Sequence, residues 1–135
     1  MNYLITPSAD GNYIIMKVIG DIISDEAIKM NDEASAVGKK LGITKYLIDV
    51  TESRNVSSIY ENYKFAYIDL PAKPTTDKKN RIAILIDPDD HSHDFVETVL
   101  KNAGSDSTIF RDRELAIQHL LKLSWFWLSP LFSVM

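Results

Sequence analysis

One uninterrupted apolar run restricts the folds open to this chain more than any other feature. Residues 82–86 read Ile-Ala-Ile-Leu-Ile, with no polar position among them. Such a run is typical of a strand that is covered on both faces, as in a parallel sheet flanked by helices. We therefore expect a central sheet with helices packed over it.

Three further parts of the chain have strand character. Residues 3–6 and 13–19 are rich in β-branched and aromatic side chains and flank an Asp-Gly turn pair, which predicts a hairpin. Residues 46–50 form a short buried run with one acidic interruption, and residues 108–110 form a short last strand. The predicted sheet therefore begins with an antiparallel pair.

Helical patterns separate these strands. The first helix is predicted to begin at a Ser24 N-cap and to stop at Gly42, and the second to begin with a capping box of Ser58 and Glu61 and to end before Pro71. The apolar periodicity predicts as inward-facing residues Ala27, Met30, Ala34, Val37 and Leu41 in the first helix, and Ile59, Tyr63, Ala66, Tyr67 and Leu70 in the second.

Two more helices follow the central strand. The third is predicted to end before Gly104 and the fourth to be capped by Asp112. The predicted inner faces are Phe95, Val96, Val99, Leu100 and Ala103 in the third helix, and Leu115, Ala116, His119 and Leu120 in the fourth. Alternating strands and helices predict helical crossovers between parallel neighbours, so the fold class is α/β with a single mixed sheet and an N-terminal antiparallel hairpin.

The domain organisation is simple. Residues 1–124 fit one domain, and residues 125–135 form an apolar C-terminal tail that contains both tryptophans and no charge. The tail is too short to span a bilayer, so we expect it to be buried through homo-oligomer formation, to act as a lid, or to make peripheral membrane contact.

Composition excludes several classes of protein. The chain has no cysteine, which removes thiol nucleophiles, thiolate metal sites and disulfides and favours a cytoplasmic protein, as does the absence of a visible secretory signal. A net charge of −4 argues against a general nucleic-acid partner. No Gly-x-Ser-x-Gly elbow or phosphate-binding glycine loop is present, so we expect a non-enzymatic protein without a cofactor.

The loops that follow the predicted strands at residues 46–50 and 82–86 are the first candidates for a site, because ligands bind beyond the carboxyl ends of parallel strands. These loops place Asp49, Ser57 and Asp87 as candidate binding residues, with Ser58 and Tyr60 at the start of the second helix. Ser57 and Ser58 are also candidates for phosphorylation at a helix N-terminus, and the alternative for Ser58 is a capping role alone.

The segment 87–94 offers a second kind of site. It contains four aspartates together with His91 and His93, which are residue types that bind zinc or iron. A metal-dependent enzyme that uses this segment is therefore one alternative. The other is that the acidic residues stabilise the N-terminus of the third helix, with Asp90, Ser92 or Asp94 as its cap.

Three short stretches resemble the SpoIIAA-like branch of the STAS superfamily. They are residues 18–22 before the first helix, the loop from Asp49 to Ser58, and residues 110–116 at the last strand and helix. The sequence departs from the antagonist pattern at Asn55 and Val56, before the serines, and at Ile59, where that pattern has glycine.

The resemblance implies a STAS-type fold and a regulatory or binding role. It suggests a protein partner at the surface of the second helix, or a small apolar or anionic ligand. Our leading hypothesis is thus a STAS-like binding module, with an apolar-ligand or membrane-surface binder and the metal-dependent enzyme as alternatives.

Overall fold

The computed structural model describes residues 2–72 and 79–122. The strands are β1 (Asn2–Pro7), β2 (Ile14–Ile19), β3 (Lys45–Glu52), β4 (Arg81–Leu85) and β5 (Asp106–Phe110). The helices are α1 (Ser24–Leu41), α2 (Ile59–Lys64), α3 (Asp94–Asn102) and α4 (Arg113–Leu121), and a π-helical turn, Phe65–Asp69, continues α2.

The five strands form one mixed sheet in the order β1-β2-β3-β4-β5. β1 and β2 are the expected antiparallel hairpin, whereas β2, β3, β4 and β5 are parallel to one another. The predicted fold class is therefore confirmed. The carboxyl ends of four strands lie at one edge of the sheet, which is where loops can combine into a site.

The two faces of the sheet carry separate cores. One face packs against α1 and α3, with Met16, Ile48 and Ile84 at its centre. The other packs against α4, with Leu47 and Leu85 beneath that helix. β4 contributes to both cores, which explains why its sequence is apolar throughout.

Helix α1 differs from the prediction at its start. Ser24 is not the N-cap, because Ile23 occupies that position without a side-chain hydrogen bond. The Ser24 hydroxyl instead donates to Ser57 Oγ at 2.9 Å. At the other end Gly42 adopts a left-handed conformation with φ 71°, as predicted for a glycine stop, while Leu41 is exposed rather than inward-facing.

Helix α2 begins as predicted, but the side of the helix that is buried differs from the predicted side. The Ser58 and Glu61 capping box is present, with both reciprocal hydrogen bonds at 3.1 Å. The predicted inner face is confirmed at Ala66, which is buried, and at Leu70, which is partly buried, but Asn62 and Phe65 are buried in place of the other three predicted residues. Ile59, Tyr63 and Tyr67 lie on the exposed side. The aromatic residues surround the helix, so apolar periodicity alone cannot identify the buried face.

In α3 and α4 the structure differs from the prediction at single residues. The α3 N-cap is His93, which makes no side-chain cap, so none of Asp90, Ser92 and Asp94 fills that role, and Phe95 is partly exposed. Asp112 caps α4 as predicted by accepting from the Leu115 amide at 3.0 Å. The side chain of Leu115 is 55% exposed, however, and does not point inward.

None of the helices within residues 2–72 and 79–122 has both the length and the apolar character required to cross a bilayer. The tail, residues 125–135, lies outside the described residues, and so does the predicted domain limit at residue 124.

Candidate functional site

A cavity lies between the sheet and the helices on its α1 side. Its volume is about 80 Å³. The floor is formed by Ile48, Val50 and Ile84, and helices α1, α2 and α3 form the walls together with the π-helical turn. The lining is mainly apolar, so the cavity suits a molecule with an apolar body.

A second cavity extends the first toward the amino ends of the strands. It has a volume of about 140 Å³. The two cavities share four lining residues, Asn31, Leu70, Ile82 and Leu100. The two cavities are therefore neighbours, and Phe65 and Ala66 of the π-helical turn line one each. Irregular turns of this type occur frequently at functional sites.

Polar groups meet at the end of the first cavity near the carboxyl edge of the sheet. Asn55 Nδ2 donates to Oδ1 of the buried Asn62 at 3.0 Å, and Asn55 Oδ1 accepts from the Ser57 amide at 3.0 Å. The Ser57 hydroxyl accepts from Ser24. The loop before α2 is therefore tied to α1 and to α2 by side-chain hydrogen bonds, and these bonds hold the polar end in place.

His93 lies in the wall of this cavity and is buried. Its ring hydrogen-bonds the backbone of Ser53, and its Nε2 lies 3.4 Å from Asp90 Oδ2 without a hydrogen bond to any described residue. Burial lowers the pKa of His93, and this effect outweighs the nearby Asp90 carboxylate. The imidazole is therefore neutral near pH 7 and carries one N–H.

Asp90 is ionised beside this neutral ring. Burial acts to raise the pKa of Asp90, but hydrogen bonds from Ser92 and the charge of Arg54 outweigh it and leave the pKa below its usual range. The Ser92 amide donates to Asp90 Oδ1 at 2.8 Å, and Arg54 Nη1 is 4.0 Å from the same oxygen. The pair is thus a carboxylate next to a neutral imidazole.

The carboxyl edge outside the cavity is acidic. An open hollow of about 350 Å³ lies there between the loops. Its lining includes Asp21, Glu52, Asp87, Asp89 and Asp90, with Arg54 as the one basic residue among the lining residues described. This excess of carboxylates disfavours the approach of an anion.

The structure separates the predicted site residues into four places. Ser57 lines the cavity, whereas Ser58 and Tyr60 face solvent on α2. Asp87 is exposed in the acidic hollow, where its Oδ1 accepts from the Asp89 amide at 2.9 Å. These predicted residues therefore do not share one place in the structure.

Asp49 belongs to the opposite face of the sheet. It is buried and lies 3.3 Å from both Lys17 Nζ and Arg113 Nη1, beneath the start of α4. Burial acts to raise the pKa of Asp49, but hydrogen bonds from Thr51 and the charge of Lys17 hold the pKa below its usual range. This residue ties β2, β3 and α4 together and does not contact the cavity.

The two candidate metal ligands do not converge. His91 is exposed, and its Nδ1 contacts Asp94 Oδ2 at 2.9 Å, whereas His93 points into the interior. Within the described part of the chain no group of three or more histidine and acidic side chains is arranged to hold a metal ion.

Sequence reasoning missed two members of the site. Asn62 was one polar position in an aromatic helix, and Ser24 was expected to cap α1. Asn62 lies four residues after Ser58 and seven after Asn55, so it shares a face with the polar loop. That spacing was a usable signal, but it competes with the stronger aromatic pattern.

Comparison with solved structures finds a crystal structure from Shewanella loihica PV-4, described as an uncharacterized protein from the DUF3478 family with a SpoIIAA-like fold. The sequence identity is 22%, the match covers 88% of this chain and 92% of that chain, and the TM-score is 0.49. The topology of this chain, one mixed sheet that begins with an antiparallel hairpin, is the fold class expected from the sequence.

This likeness supplies no ligand or activity for the chain. No protein-family model matches the chain, and no curated protein does. The chemistry of the site must therefore be argued from its own residues.

Proposed function

We propose that this chain is a non-enzymatic binding module that holds a small, uncharged molecule with an apolar body in the cavity beneath the π-helical turn. The observation that carries the proposal is the cavity itself, which combines an apolar floor with one polar end at Ser57, Asn62 and His93. Binding sites for small molecules have this combination of an apolar lining and a few convergent polar groups.

The polar end favours a ligand that donates a hydrogen bond. With the ring N–H of His93 directed to the backbone of Ser53, Nε2 carries a lone pair and has no donor among the described residues. The ionised Asp90 nearby and the acidic hollow outside disfavour an anionic group. An alcohol or an amide N–H fits this end better than a carboxylate or phosphate.

The size of the cavity limits the ligand. The first cavity holds about three water molecules at about 30 Å³ each. A longer apolar body can continue into the second cavity beneath Leu70. The expected ligand is therefore small and narrow.

The test compares a neutral probe, 1-hexanol, with a negatively charged probe of the same carbon number, hexanoate. We expect hexanol to raise the melting temperature of the full chain and hexanoate to leave it unchanged. Ala27 lines the cavity, so Ala27→Leu should abolish the response to hexanol. Ala36 is exposed on the same helix and gives a matched control, since Ala36→Leu should respond as the parent does.

Three outcomes would contradict the proposal. They are no response to hexanol in the parent, an equal response in Ala27→Leu, and a stronger response to hexanoate. Native mass spectrometry of protein purified from cells adds a direct readout, because a copurified small molecule should be lost in Ala27→Leu and retained in Ala36→Leu.

The exposed side of α2 supports a second function, the binding of a protein partner. Ile59 and Tyr60 are 72% and 70% exposed, and the rings of Tyr63 and Tyr67 stack with centroids 4.7 Å apart. An apolar, aromatic surface of this kind is typical of interaction sites. Ser58 begins this surface, so its phosphorylation would add charge beside the partner.

Ser58→Asp and Ser58→Ala separate a regulatory role from capping. Aspartate keeps the N-cap and adds a negative charge, whereas alanine removes the cap and costs about 1 kcal/mol of stability. If phosphorylation controls a partner, Ser58→Asp should alter the set of proteins captured from a lysate while the unfolding free energy stays close to that of the parent. If the parent and Ser58→Asp capture the same set of proteins from the lysate, control of a partner by phosphorylation of Ser58 is contradicted.

A further inference from the structure

The sheet ends in two edge strands whose outer backbone groups differ. At β5, helix α3 packs against the strand, and the Ile109 amide donates to the Glu97 carboxylate of that helix. At the opposite end of the sheet, β1 pairs with β2 alone among the described strands. An edge strand with unpaired N–H and C=O groups is a template for a further strand. β1 is therefore the open edge of this sheet.

The hydrogen bonds of the hairpin show which residues of β1 point their backbone groups outward. The Ser8 amide donates to the Tyr13 carbonyl at 2.8 Å, and these two residues continue the hairpin register by one step. Because hydrogen-bonded pairs alternate along an antiparallel ladder, the even-numbered residues of β1 bond β2. The N–H and C=O groups of Tyr3 and Ile5 therefore point away from the sheet, and Pro7 has no N–H.

The residues of β1 do not oppose a new strand. Edge strands are commonly protected by charged side chains, bulges or proline. Residues 2–6 carry no charge and no proline, and the hairpin register runs without a bulge from Asn2 to Pro7. Leu4, in the middle of the strand, is 65% exposed. Pro7 stands at the end of β1, where it limits the length of a new ladder without preventing it.

These features fit a second copy of β1 in antiparallel orientation. With the two Leu4 residues opposite each other, Tyr3 of each copy stands opposite Ile5 of the other. Each of these pairs exchanges two backbone hydrogen bonds, and none of the bonds requires an N–H from Pro7. A register centred on Ile5 would instead place Tyr3 opposite Pro7 and leave the Tyr3 carbonyl of both copies without a donor. The strand is thus complementary to itself in one register.

The helices beside the edge leave room for this pairing. α1 contacts both β1 and β2, so it is set back from the edge. With strands about 4.8 Å apart, the two α1 helices would lie about 10 Å from each other, which is the spacing of packed helices. On the other face of the sheet, α4 packs on β3, β4 and β5. The described part of the chain therefore does not obstruct a second β1.

We propose that two copies of this chain pair through antiparallel β1 strands, with Leu4 at the twofold axis, and form one continuous sheet with five strands from each copy. The interface is isologous, so each copy uses its β1 edge and the assembly stops at two. The β5 edges do not extend it, because Glu97 occupies the Ile109 amide. No residue of β1 lines either cavity, so the dimer is independent of ligand binding.

Light scattering on the full chain tests the proposal through the residue at the axis. We expect the parent to have twice the mass of one chain. In Leu4→Glu the new carboxylate lies opposite Lys17 in its own hairpin but opposite a second carboxylate across the axis, so we expect a folded monomer. Leu115 is exposed on α4, so Leu115→Glu is the matched control and should remain a dimer.

Mixing two charged variants gives a readout that a folding defect would not produce. Leu4→Lys alone should also be monomeric, because two ammonium groups meet at the axis. A mixture of Leu4→Glu and Leu4→Lys should recover dimers with one chain of each, since opposite charges then face each other. An affinity tag on one variant identifies these mixed dimers by copurification of the other.

A disulfide tests the register even if the charged variants fold poorly. The chain has no cysteine, so a single cysteine can be introduced. The two Cα atoms at position 4 should lie about 4.5 Å apart, within the range that a disulfide spans, so Leu4→Cys should cross-link on mild oxidation. Thr6→Cys is the matched control on the same exposed face, because its two Cα atoms would lie about 13 Å apart.

Four results would overturn the proposal. The first two are a parent that is monomeric and a Leu4→Glu variant that remains dimeric. The third is a mixture of the two charged variants that contains no mixed dimer although both are folded by circular dichroism. The fourth is equal cross-linking of Leu4→Cys and Thr6→Cys, which would show that the strands do not pair in this register.

Discussion

At the scale of single residues, three buried polar side chains distinguish this protein from a domain with a purely apolar interior. His93 and Asn62 are buried polar residues in the wall of the cavity, and Asp49 is a buried carboxylate on the far side of the sheet. A buried polar group costs stability unless it is paired. Asp49 and Asn62 are paired, whereas Nε2 of His93 has no hydrogen-bond partner among the described residues.

The protonation of His93 should make stability depend on pH. Its pKa in the folded state is lowered from 6.5 by burial, so the unfolded chain binds a proton first as the pH falls. The contribution of the neutral ring is complete above the unfolded pKa and is lost progressively below it, so the unfolding free energy should decrease as the pH falls below about 6.5. Urea unfolding at several pH values measures this decrease.

A glutamine variant isolates the contribution of this ring. His93→Gln cannot take up a proton, so the loss of stability on acidification should be smaller than in the parent. The nearby charges of Asp90, Asp94 and Arg54 remain in the variant. Burial also lowers the pKa of His119, so His119→Gln should likewise reduce the loss of stability on acidification. An unchanged pH dependence in His93→Gln would contradict the assignment of a neutral, buried imidazole.

At the scale of secondary structure, close contacts between elements override local propensity. Gly38 lies in the interior of α1, where glycine is a poor helix former. A Cβ atom at this position would lie 1.9 Å from Tyr46 Oη and 2.8 Å from the Ile43 carbonyl oxygen. The glycine is therefore required by the approach of α1 to β3.

Gly38→Ala should destabilise the protein in spite of its better helix propensity. Alanine is favoured over glycine by about 1 kcal/mol in a helix, but overpacking costs about 1–3 kcal/mol. We expect a net loss of about 1 kcal/mol in denaturant unfolding. Adding Tyr46→Phe should recover part of the loss, because it removes the nearest atom. Lys39→Ala, at an exposed neighbouring position, is the control, and a stabilised Gly38→Ala variant would show that the contact is relieved cheaply.

At the scale of the whole molecule, one sheet serves two cores. Met16 belongs to the core on the α1 side and Leu47 to the core beneath α4, yet both lie on adjacent strands of the same sheet. The strands contribute side chains to both cores, so disruption of one core disturbs the strands that hold the other. The two layers should therefore unfold together.

Core truncations on opposite faces test this coupling. Met16→Ala and Leu47→Ala should each lower the unfolding free energy by about 2–5 kcal/mol. In both variants, circular dichroism should show one transition, and hydrogen exchange should show loss of protection on both faces. Loss of protection confined to the α4 layer in Leu47→Ala would mean that the layers are separate cooperative units.

Local patterns in the sequence determined the sheet, the hairpin and several helix ends. The apolar run at 82–86, the capping box at Ser58 and the left-handed Gly42 depend on neighbouring residues only, so they can be identified without a structure. The fold class followed from the order of these signals.

Tertiary structure alone decided which side of α2 faces the core and which polar residues meet. Asn62 is buried because Asn55, in a loop, supplies its partner, and Ser24 bonds Ser57 instead of capping its own helix. Asp49 and Ser57 are eight residues apart in sequence yet lie on opposite faces of the sheet, because side chains alternate along β3 and the chain then crosses to the α1 side. These outcomes depend on contacts between distant segments, which local periodicity does not encode.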